Sequence, residues 1–283
     1  MLQVGTDEAG YGPLLGPLVV AAAVFEGEGP RARMRLPGAG DSKRIYASGG
    51  RDALARILGP YLPHAGAAAT ARLGSLLRAA SVRGDPRPGY AWYGEVEDPA
   101  FRSCESPPGF RRLLLNPVCE REFNEGCRER GGKGNLLFAE TMRLVRDALA
   151  LSPAADAEIV CDKLGGRNRY ATMLLSELGP TTIVPEIEGR ASSRYRLTVG
   201  GRGVRIRFEA KADALDPLAG LASIGAKYLR ELFMQALNSY FGRRIAGLRP
   251  TAGYVQDGRR FVKEVAALLP EVEGGGRGFE RLF

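Results

Sequence analysis

An uninterrupted apolar run, LVVAAAVF at residues 18–25, dictates much of what this chain can fold into. A strand with one wet face alternates apolar and polar residues, so a continuous apolar run predicts a strand buried on both faces of a sheet. A second strand is predicted at residues 2–7, and the glycines and proline of residues 10–13 indicate the turn between the two. The chain is therefore expected to build a sheet covered on both sides.

Hydrophobic periodicity predicts the other strands and helices. Two of the later strands are joined by Gly200-Gly201, a pair typical of a hairpin turn. A long helix follows, because Asp216 is a suitable N-cap, Pro217 suits the first helical position, and an apolar stripe continues to Tyr240. These elements predict an α/β fold with a mixed central sheet flanked by helices. The remaining predicted elements are helices at 51–58 and 136–150 and strands at 158–162, 181–187, 194–199 and 204–209.

The length of 283 residues is compatible with a single domain spanning residues 1–283. Residues 60–134 break the rhythm of strands and helices with Gly-Pro punctuation, so they are predicted to form an insertion or subdomain. Residues 242–283 are expected to form a C-terminal extension, in which the glycine-rich stretch 273–278 is a predicted linker.

His64 is the single histidine of the chain, and this limits the chemistry that the protein can perform. A Ser-His-Asp triad, an HExxH zinc helix and a multi-histidine metal site are poorly compatible with one histidine. If the protein is an enzyme, its carboxylates or lysines must carry the reaction. Neither of the glycine-rich phosphate-binding motifs, GxxxxGK[ST] and GxGxxG, occurs in the sequence.

The charge balance is basic, with 40 Lys and Arg residues against 32 Asp and Glu residues and a net charge of +8. Such a balance suits a polyanionic partner, and nucleic acid is the commonest one for a soluble protein. A solvated basic surface is the competing interpretation. Residues 60–134 also allow two interpretations. Their arginines and aromatic residues could bind a nucleic-acid strand by charge and stacking, or, as we favour, form a hydrophobic plug with solvated arginines. These residues are Arg72, Arg78, Arg83, Arg87, Tyr90, Trp92 and Tyr93.

Cellular location is predicted from the cysteines and from the apolar segments. The cysteines form no CxxC pair and no secretory leader precedes them, so we expect reduced thiols in a cytoplasmic protein. The apolar stretch 14–25 is interrupted by Gly16-Pro17 and is too short to cross a bilayer, so no membrane association is expected. We also expect a monomer. The cysteines are Cys104, Cys119, Cys127 and Cys161.

Four acidic residues are predicted to lie where strands end or where a loop enters a helix. Asp7 and Glu8 follow the first strand. Asp162 ends a short strand, and Asp213 precedes the long helix. Such positions meet at one edge of a sheet, and clustered carboxylates without histidine suit Mg²⁺ or Mn²⁺, which prefer oxygen ligands. The pattern indicates phosphodiester hydrolysis with two metal ions.

A structural interpretation of the same acidic residues competes with the metal site. Among 32 acidic residues some fall at strand ends by chance, where they cap helices or pair with arginines. Side chains also alternate across a regular strand, so Asp7 and Glu8 meet at one site only if the strand bends. Gly10 makes such a bend possible.

Several short motifs, in matching order and spacing, give the chain a resemblance to a known family. The matching segments are DEAGYGPLLGP at 7–17, DSK at 41–43, KADA at 211–214, ASIGAK at 222–227 and GYVQD at 253–257. They resemble DEAGRGPxxGP, DSK, KADA…ASIxAK and GYPSDP of the type 2 ribonucleases H, in particular the archaeal and eukaryotic branch. The resemblance covers roughly residues 1–58 and 135–262.

This resemblance implies a ribonuclease H-like fold and a set of site residues. Asp7, Glu8, Asp162 and Asp213 would hold two Mg²⁺ or Mn²⁺ ions, with Asp7 bridging both. Other residues would contact the substrate, and each has a structural alternative. Lys43 could be a solvated lysine, Tyr254 a core residue, and Ser223 and Lys227 solvent-facing residues of a helix. The implied contacts are Lys43 to a phosphate, Tyr254 to a sugar, Ser223 and Lys227 to the nucleic-acid backbone, and Gly10, Tyr11 and Gly12 to the ribose 2′-hydroxyl.

The sequence departs from the family pattern at three places. Tyr11 stands where the family has arginine between two glycines that are kept, so backbone sensing of the sugar is expected to survive while the arginine's phosphate contact is lost. Lys163 follows Asp162 where the family has a small residue, which makes Asp162 the least secure ligand. Glu231 also departs from the pattern and is left out of the predicted site.

The expected function is metal-dependent cleavage of the RNA strand of RNA–DNA hybrids, or of ribonucleotides embedded in duplex DNA. A nuclease of the same fold acting on a DNA substrate is the first alternative, favoured by Tyr11. The second alternative is a nucleic-acid-binding protein of this fold without turnover. The presence of all four carboxylates disfavours the second alternative.

Overall fold

A computed structural model describes residues 1–28, 36, 38, 40–62, 71–102, 104–164, 166–272 and 278–282. Within these residues a seven-stranded sheet forms the centre of the protein and a two-stranded ribbon lies apart from it. The strands are β1 (Leu2–Ala9), β2 (Leu18–Glu26), β3 (Ala71–Arg72), β4 (Glu97–Asp98), β5 (Phe110–Val118), β6 (Ala157–Asp162), β7 (Thr182–Glu188), β8 (Ser192–Val199) and β9 (Arg202–Glu209).

Helices cover both faces of the main sheet. The helices are α1 (Ser42–Leu58), α2 (Leu73–Ala80), α3 (Glu120–Arg130), α4 (Lys133–Ala150), α5 (Ala171–Leu178), α6 (Ala212–Leu215), α7 (Pro217–Gly242) and α8 (Val255–Val265). Short 3₁₀ turns lie at Arg87–Gly89 and Ala266–Glu271.

The main sheet is mixed, with the strand order β5-β2-β1-β6-β9-β8-β7. β1, β6 and β9 run parallel to one another, whereas the β1–β2, β2–β5, β9–β8 and β8–β7 pairs are antiparallel. The predicted α/β fold with a mixed sheet is confirmed. Val199 pairs with Arg202 across the predicted hairpin turn. The three parallel strands all end at the same edge of the sheet, and this edge carries the acidic residues.

The apolar run at 18–25 is confirmed as a strand buried on both faces. Val19 and Ala21 of β2 belong to a hydrophobic core shared with α7, α1 and α2. Val20 and Ala22 belong to a second core shared with α3, α4 and α5. Because neighbouring residues of a strand point to opposite faces, β2 needs apolar residues at every position to be covered by both helical layers.

The long helix α7 begins as the sequence predicts. Asp216 is its N-cap, and the Asp216 carboxylate accepts hydrogen bonds from Leu218 N at 3.1 Å and Ala219 N at 3.0 Å. Pro217 occupies the first helical position, where its missing N–H group is not needed. The first turn of α7 lies directly against Gly5 of β1: a β-carbon added at Gly5 would lie 2.2 Å from Ala219 N. This close approach sets the depth of α7 on the sheet.

Part of the segment 60–134, which the sequence analysis treats as an insertion, belongs to the main sheet. Residues 110–118 form β5, the edge strand paired with β2, and α3 packs beneath the sheet. A proposed insertion is therefore confined to residues before 110. Its aromatic residues Tyr90, Trp92 and Tyr93 are buried. This burial agrees with the hydrophobic plug and leaves these rings unavailable to stack on a nucleic-acid strand.

Helix α1 is longer than the sequence predicts. The predicted helix at 51–58 is its second half, and a first half begins at Ser42. Gly49 and Gly50 have non-helical backbone angles, so the two halves meet at a kink. Asp41 caps the first half, because its carboxylate accepts from Lys43 N at 2.9 Å and Arg44 N at 3.3 Å.

Some expectations concern residues that the structure does not describe, and others concern features that it describes in part. His64 and most of the predicted linker lie outside the described residues. The four cysteines are free thiols, and Cys104 is the exposed one. Among the described residues no helix has the length and apolar character needed to cross a membrane.

Candidate active site

A cavity of about 270 Å³ opens at the sheet edge where β1 and β6 end and α7 begins. Its lining comes from parts of the chain that are far apart in sequence. The lining residues are Asp7, Glu8, Ala9, Gly10, Ser42, Lys43, Asp162, Lys211, Asp213, Ser223, Lys227, Arg230, Glu231 and Tyr254. Of the predicted site residues, Tyr11 and Gly12 are the two that do not line this cavity.

The end of β1 brings two adjacent carboxylates to the cavity. Asp7 and Glu8 stay in antiparallel register with β2, but the parallel pairing of β1 with β6 stops at Thr6. Both side chains line the cavity although they are neighbours on one strand. Gly10 then turns the chain with a φ of +84°, in the left-handed region that glycine adopts without strain. The strand thus ends where the sequence analysis places its bend.

The other two carboxylates come from β6 and from the short helix before α7. Asp162 is the last residue of β6, and its carboxylate accepts from Ala212 N at 2.9 Å. Asp213 follows directly in α6. Lys211, with a left-handed φ of +62°, makes the turn from β9 into α6. This turn carries Asp213 back over the end of β6, so that Asp162 and Asp213 face the same cavity.

Burial and nearby charges raise the pKa of Asp7, Glu8 and Asp162. The pKa of Asp7 is raised from 3.8 to about 7, mainly by burial and to a smaller extent by the charges of Asp162 and Asp213, while hydrogen bonds oppose the shift. The pKa of Glu8 lies well above its usual value, first because of burial and then because of the charge on Asp7. Burial also raises the pKa of Asp162. Several carboxylates therefore share one electrostatic environment, which a bound cation would relieve.

A chain of hydroxyl groups orients Asp7. The Ser223 hydroxyl donates a hydrogen bond to the Asp7 carboxylate and lowers its pKa. The Ser42 and Ser223 hydroxyl oxygens are 2.9 Å apart. When Asp7 is ionised and accepts from Ser223, the Ser223 hydroxyl has no second proton, so Ser42 donates to Ser223. The start of α1 is thereby tied to α7, and this contact brings the neighbouring Lys43 to the cavity mouth, where its charge acts on Glu8.

Replacing Ser223 by alanine is expected to raise the pKa of Asp7 by about one unit, because a hydrogen bond that favours the carboxylate is lost. Ser42→Ala is the matched control, since it removes the Ser42–Ser223 hydrogen bond and keeps the one to Asp7. The measurement is a titration of carboxyl ¹³C shifts by NMR in metal-free protein. An equal Asp7 pKa in both variants would contradict the assignment of Ser223.

The far side of the cavity is formed by one turn of α7 and by Tyr254. Lys227 Nζ lies 3.6 Å from a Glu231 carboxylate oxygen and 4.1 Å from the centre of the Tyr46 ring. The Tyr46 hydroxyl donates to Glu231 at 3.1 Å. Tyr254 is 59% exposed, so its ring is available to a ligand. Lys227 therefore lines the cavity while its ammonium group contacts the Glu231 carboxylate and the Tyr46 ring.

Several lining residues are not among the site residues predicted from the sequence. Ser42 and Lys211 lie inside the DSK and KADA motifs, so the signal is present in the neighbours of Lys43 and Asp213. Glu231, which is not part of the predicted site, lies one helical turn after Lys227 and shares its face of α7. Helical spacing alone was enough to place Glu231 beside the cavity.

Tyr11 lies beside the cavity and packs against the start of α4. Lys133 Nζ lies 5.1 Å from the centre of the Tyr11 ring. A β-carbon added at Gly134 would lie 3.6 Å from the Tyr11 hydroxyl. The residue that replaces the family arginine is therefore half-buried and held at the N-terminal end of a helix.

The donor chemistry of the cavity suits a hard divalent cation. Its ionisable donors are carboxylates, and no histidine or cysteine lines it. Across the described part of the chain, however, no three His, Cys, Asp or Glu side chains are arranged to hold one metal ion. The residues fit Mg²⁺ or Mn²⁺ in charge and donor type, while their present arrangement is not a closed ligand shell.

Comparison with known proteins finds a family similarity in the N-terminal part of the chain. The family model described as Ribonuclease HII matches residues 4–72. A Ribonuclease HII from Xanthomonas oryzae pv. oryzae is 45% identical over 58 residues, which are 20% of this chain and 21% of that protein. Residues 4–72 are therefore similar to ribonuclease HII, and this matched stretch is called the ribonuclease HII segment. The chain aligns with about a fifth of the length of such curated relatives.

Two solved structures resemble the whole chain at low sequence identity. Ribonuclease HII in the PCNA:RNase HII complex from Archaeoglobus fulgidus is 18% identical with a TM-score of 0.46, covering 100% of this chain and 94% of that chain. Ribonuclease H2 from Pyrococcus horikoshii OT3 is 18% identical with a TM-score of 0.47, covering 99% of this chain and 92% of that one.

The ribonuclease HII segment accounts for one side of the cavity. It contains Asp7, Glu8 and Lys43. Asp162 and Asp213 lie outside the matched residues and reach the same cavity through β6 and α6. The resemblance expected from the motifs is confirmed over residues 4–72, and its assignment to the archaeal and eukaryotic branch stays a prediction.

Proposed function

We propose that this protein is a divalent-metal-dependent nuclease that cleaves the RNA strand of RNA–DNA hybrids or ribonucleotides embedded in duplex DNA. The observation that carries the proposal is the meeting of Asp7, Glu8, Asp162 and Asp213 in one cavity, beside the lysine of the ribonuclease HII segment. Such a set combines negative charge for cations with a positive group for phosphate, which is the equipment of phosphodiester hydrolysis.

The four carboxylates would hold two Mg²⁺ or Mn²⁺ ions. When bound, the ions supply an activated water and neutralise the charge that develops on the leaving oxygen. The chain's own residues prepare this chemistry. Asp7 is held in one orientation by Ser223, and Asp162 by the backbone N–H of Ala212. Carboxylates fixed in this way would hold the ions beside the reacting phosphodiester.

Lys43 and Tyr254 are proposed to bind the strand that is cut. Lys43 stands exposed at the cavity mouth, where its ammonium can pair with a phosphate. The exposed ring of Tyr254 offers a flat surface beside the carboxylates for a sugar. Ser223 and Lys227 are proposed to lie along the nucleic-acid backbone, and Ser223 also keeps its role of orienting Asp7.

The two glycines around Tyr11 support ribose recognition in different ways. A β-carbon at Gly10 would lie 2.5 Å from Arg230 Nε and 2.6 Å from Pro17 O, so the fold itself requires this glycine. A β-carbon at Gly12 would have no heavy atom within 4 Å, and Gly12 is not in the left-handed region. A ligand that approaches the backbone closely gives a reason for Gly12, and a ribose 2′-hydroxyl is such a ligand.

A DNA-directed nuclease is the second candidate, because Tyr11 replaces the arginine that the family places between these glycines. The half-buried Tyr11 ring beside Lys133 presents a different surface to the substrate. A binding protein without turnover, a monomeric state and a cytoplasmic location also stay predictions.

Cleavage of three labelled duplexes tests the proposal: an RNA–DNA hybrid, a DNA duplex with one embedded ribonucleotide, and an all-DNA duplex, each with Mg²⁺ or Mn²⁺. Wild-type protein is expected to cut the ribose-containing strands alone, and Asp213→Asn is expected to lose about a hundredfold or more of the rate. Cleavage of the all-DNA duplex would favour the second candidate. Binding without cleavage would leave the non-catalytic protein.

A further inference from the structure

The C-terminal residues 278–282 fold back beneath the glycine turn that follows β1. Phe279 is buried, and its ring packs edge-on against Trp92 at 5.2 Å and Phe241 at 5.3 Å between centroids. Asn124 of α3 makes two hydrogen bonds to the tail. Its side-chain amide donates to Glu280 O at 2.8 Å, and its side-chain oxygen accepts from Leu282 N at 2.8 Å. The tail is thus docked by specific contacts along its length.

Arg281 reaches from this tail to the turn itself. Its backbone N donates to Leu14 O at 2.9 Å, and its Nη1 donates to Gly10 O at 2.6 Å. The side chain is 3% exposed, and its guanidinium lies 4.7 Å from the centre of the Phe123 ring. Its Nε and Nη2 are buried without a hydrogen-bond partner.

An arginine is a costly side chain for such a place. Burial of the charge lowers the pKa of Arg281 to about 10, and Glu120 opposes this shift only in part. A methionine or leucine would fill the same volume without a desolvation cost. Beyond packing, the guanidinium adds the attraction to Glu120, the contact with the Phe123 ring and the hydrogen bond to the Gly10 carbonyl.

Two other buried charged groups hold the rest of the turn. Arg230 Nη2 donates to Leu15 O at 3.2 Å and to Ala252 O at 3.0 Å. The Glu120 carboxylate accepts from Gly16 N at 2.9 Å. The underside of the turn is therefore fixed by side chains from α3, α7 and the C-terminal tail, while Gly10 itself lines the cavity.

The Gly10 carbonyl controls the direction of the next backbone N–H. The peptide bond between Gly10 and Tyr11 is trans, so the carbonyl and the Tyr11 N–H point in opposite directions. A flip of this peptide changes ψ of Gly10, which glycine permits, together with φ of Tyr11. A hydrogen bond from Arg281 to the carbonyl opposes the flip and keeps the Tyr11 N–H pointing away from Arg281.

We propose that Arg281 is a positioning residue that fixes the Gly10–Tyr11 peptide, so that the C-terminal tail sets how well the site distinguishes ribose from deoxyribose. The inference rests on the proposed function, because a 2′-hydroxyl can be told from hydrogen only by a polar group of fixed direction. Arg281 does not touch the substrate. It acts through the backbone of the turn.

The test compares Arg281→Met and Arg281→Lys with wild type. The readout is the ratio of dissociation constants for an all-DNA duplex and for the same duplex with one ribonucleotide, measured in EDTA. Arg281→Met is expected to lower this ratio about tenfold, and Arg281→Lys to recover part of it, because an ammonium can still donate to the Gly10 carbonyl. Should Arg281→Met fail to fold, the ratio of dissociation constants for Arg281→Lys must still be lower than that of wild type.

Phe279→Leu is the matched control. It weakens the docking of the tail by packing alone and leaves the hydrogen bond to Gly10 in place, so it is expected to lower the melting temperature and keep the ratio. A wild-type ratio in folded Arg281→Met would overturn the inference. An equal loss in Phe279→Leu would do the same, since tail docking alone would then explain the effect.

Hydrogen exchange separates a failure of this inference from a failure of the proposed function. If wild type shows no preference for ribose, the proposed function fails, but the effect of the Arg281–Gly10 hydrogen bond on the turn is still measurable. The amides of residues 10–16 are then expected to exchange about tenfold faster in Arg281→Met than in Phe279→Leu. Equal exchange in the two variants would overturn the positioning role.

Discussion

Asp7→Asn is expected to stabilise the metal-free protein at pH 8 and at the same time to reduce the proposed cleavage to below about one part in a hundred. The loss of activity follows from the position of Asp7 among Glu8, Asp162 and Asp213, whose charges all act on one another. The gain in stability follows first from burial and then from repulsion, because an asparagine carries no charge to be buried or to be repelled by Asp162 and Asp213.

The sign of the pH dependence follows from the raised pKa of Asp7. This pKa is about 7 in the folded protein and 3.8 as its ordinary value. The folded protein therefore favours the protonated form, and wild type loses stability as the pH rises from about 4 to about 7. The full shift corresponds to about 4 kcal/mol, and we expect Asp7→Asn to recover about 1–3 kcal/mol at pH 8, because neighbouring carboxylates share the shift.

Urea unfolding in EDTA at about pH 5 and pH 8 measures this effect. The advantage of Asp7→Asn over wild type is expected to be larger at the higher pH. Asp52→Asn is the control, since Asp52 is 57% exposed and lies outside the cavity lining. The raised pKa of Asp7 would be contradicted by an Asp7→Asn protein that is less stable than wild type at pH 8, or whose stability differs from wild type by the same amount at both pH values.

Gly5→Ala is expected to destabilise the protein by about 3 kcal/mol or more, because overpacking against backbone cannot be relieved by a side-chain rotation. The added β-carbon would lie 2.2 Å from Ala219 N and 2.3 Å from Leu218 C. These are main-chain atoms in the first turn of α7, so the helix itself must move away from β1. The same movement separates Ser223 on α7 from Asp7 on β1.

The unfolding free energy from urea titration checks the prediction for Gly5. Gly94→Ala is the matched control, because a β-carbon there meets no heavy atom within 4 Å and the position is exposed. Its effect is expected to stay within about 0.5 kcal/mol. A Gly5→Ala protein as stable as the control would show that α7 does not lie on β1 as closely as described.

Local chemistry explains which elements the sequence predicts. The apolar run of β2 predicts a buried strand, and Asp216 followed by Pro217 predicts the start of α7. Strand β5 is hidden in the sequence because Arg111, Arg112 and Pro117 interrupt its apolar pattern. A proline is tolerated there because β5 is an edge strand, and this position is known only once the sheet is assembled.

The candidate site divides in the same way. The acidic residues are predicted from their positions at strand ends. Ser223 and Tyr254 have no distinctive local pattern and are predicted from the motifs alone. Nothing local indicates Arg281, because its partner Gly10 lies at the opposite end of the chain. Contacts of this kind depend on how the terminal segments pack, and periodicity carries no information about them.

Binding of Mn²⁺, followed through the EPR signal of the free ion, tests most directly whether the four carboxylates form one cation site. Wild type is expected to bind Mn²⁺, and Asp7→Asn and Asp213→Asn are each expected to weaken binding by about tenfold or more, whereas Asp52→Asn leaves it unchanged. Binding that is equally strong in wild type and in both cavity variants would contradict the site described for this cavity.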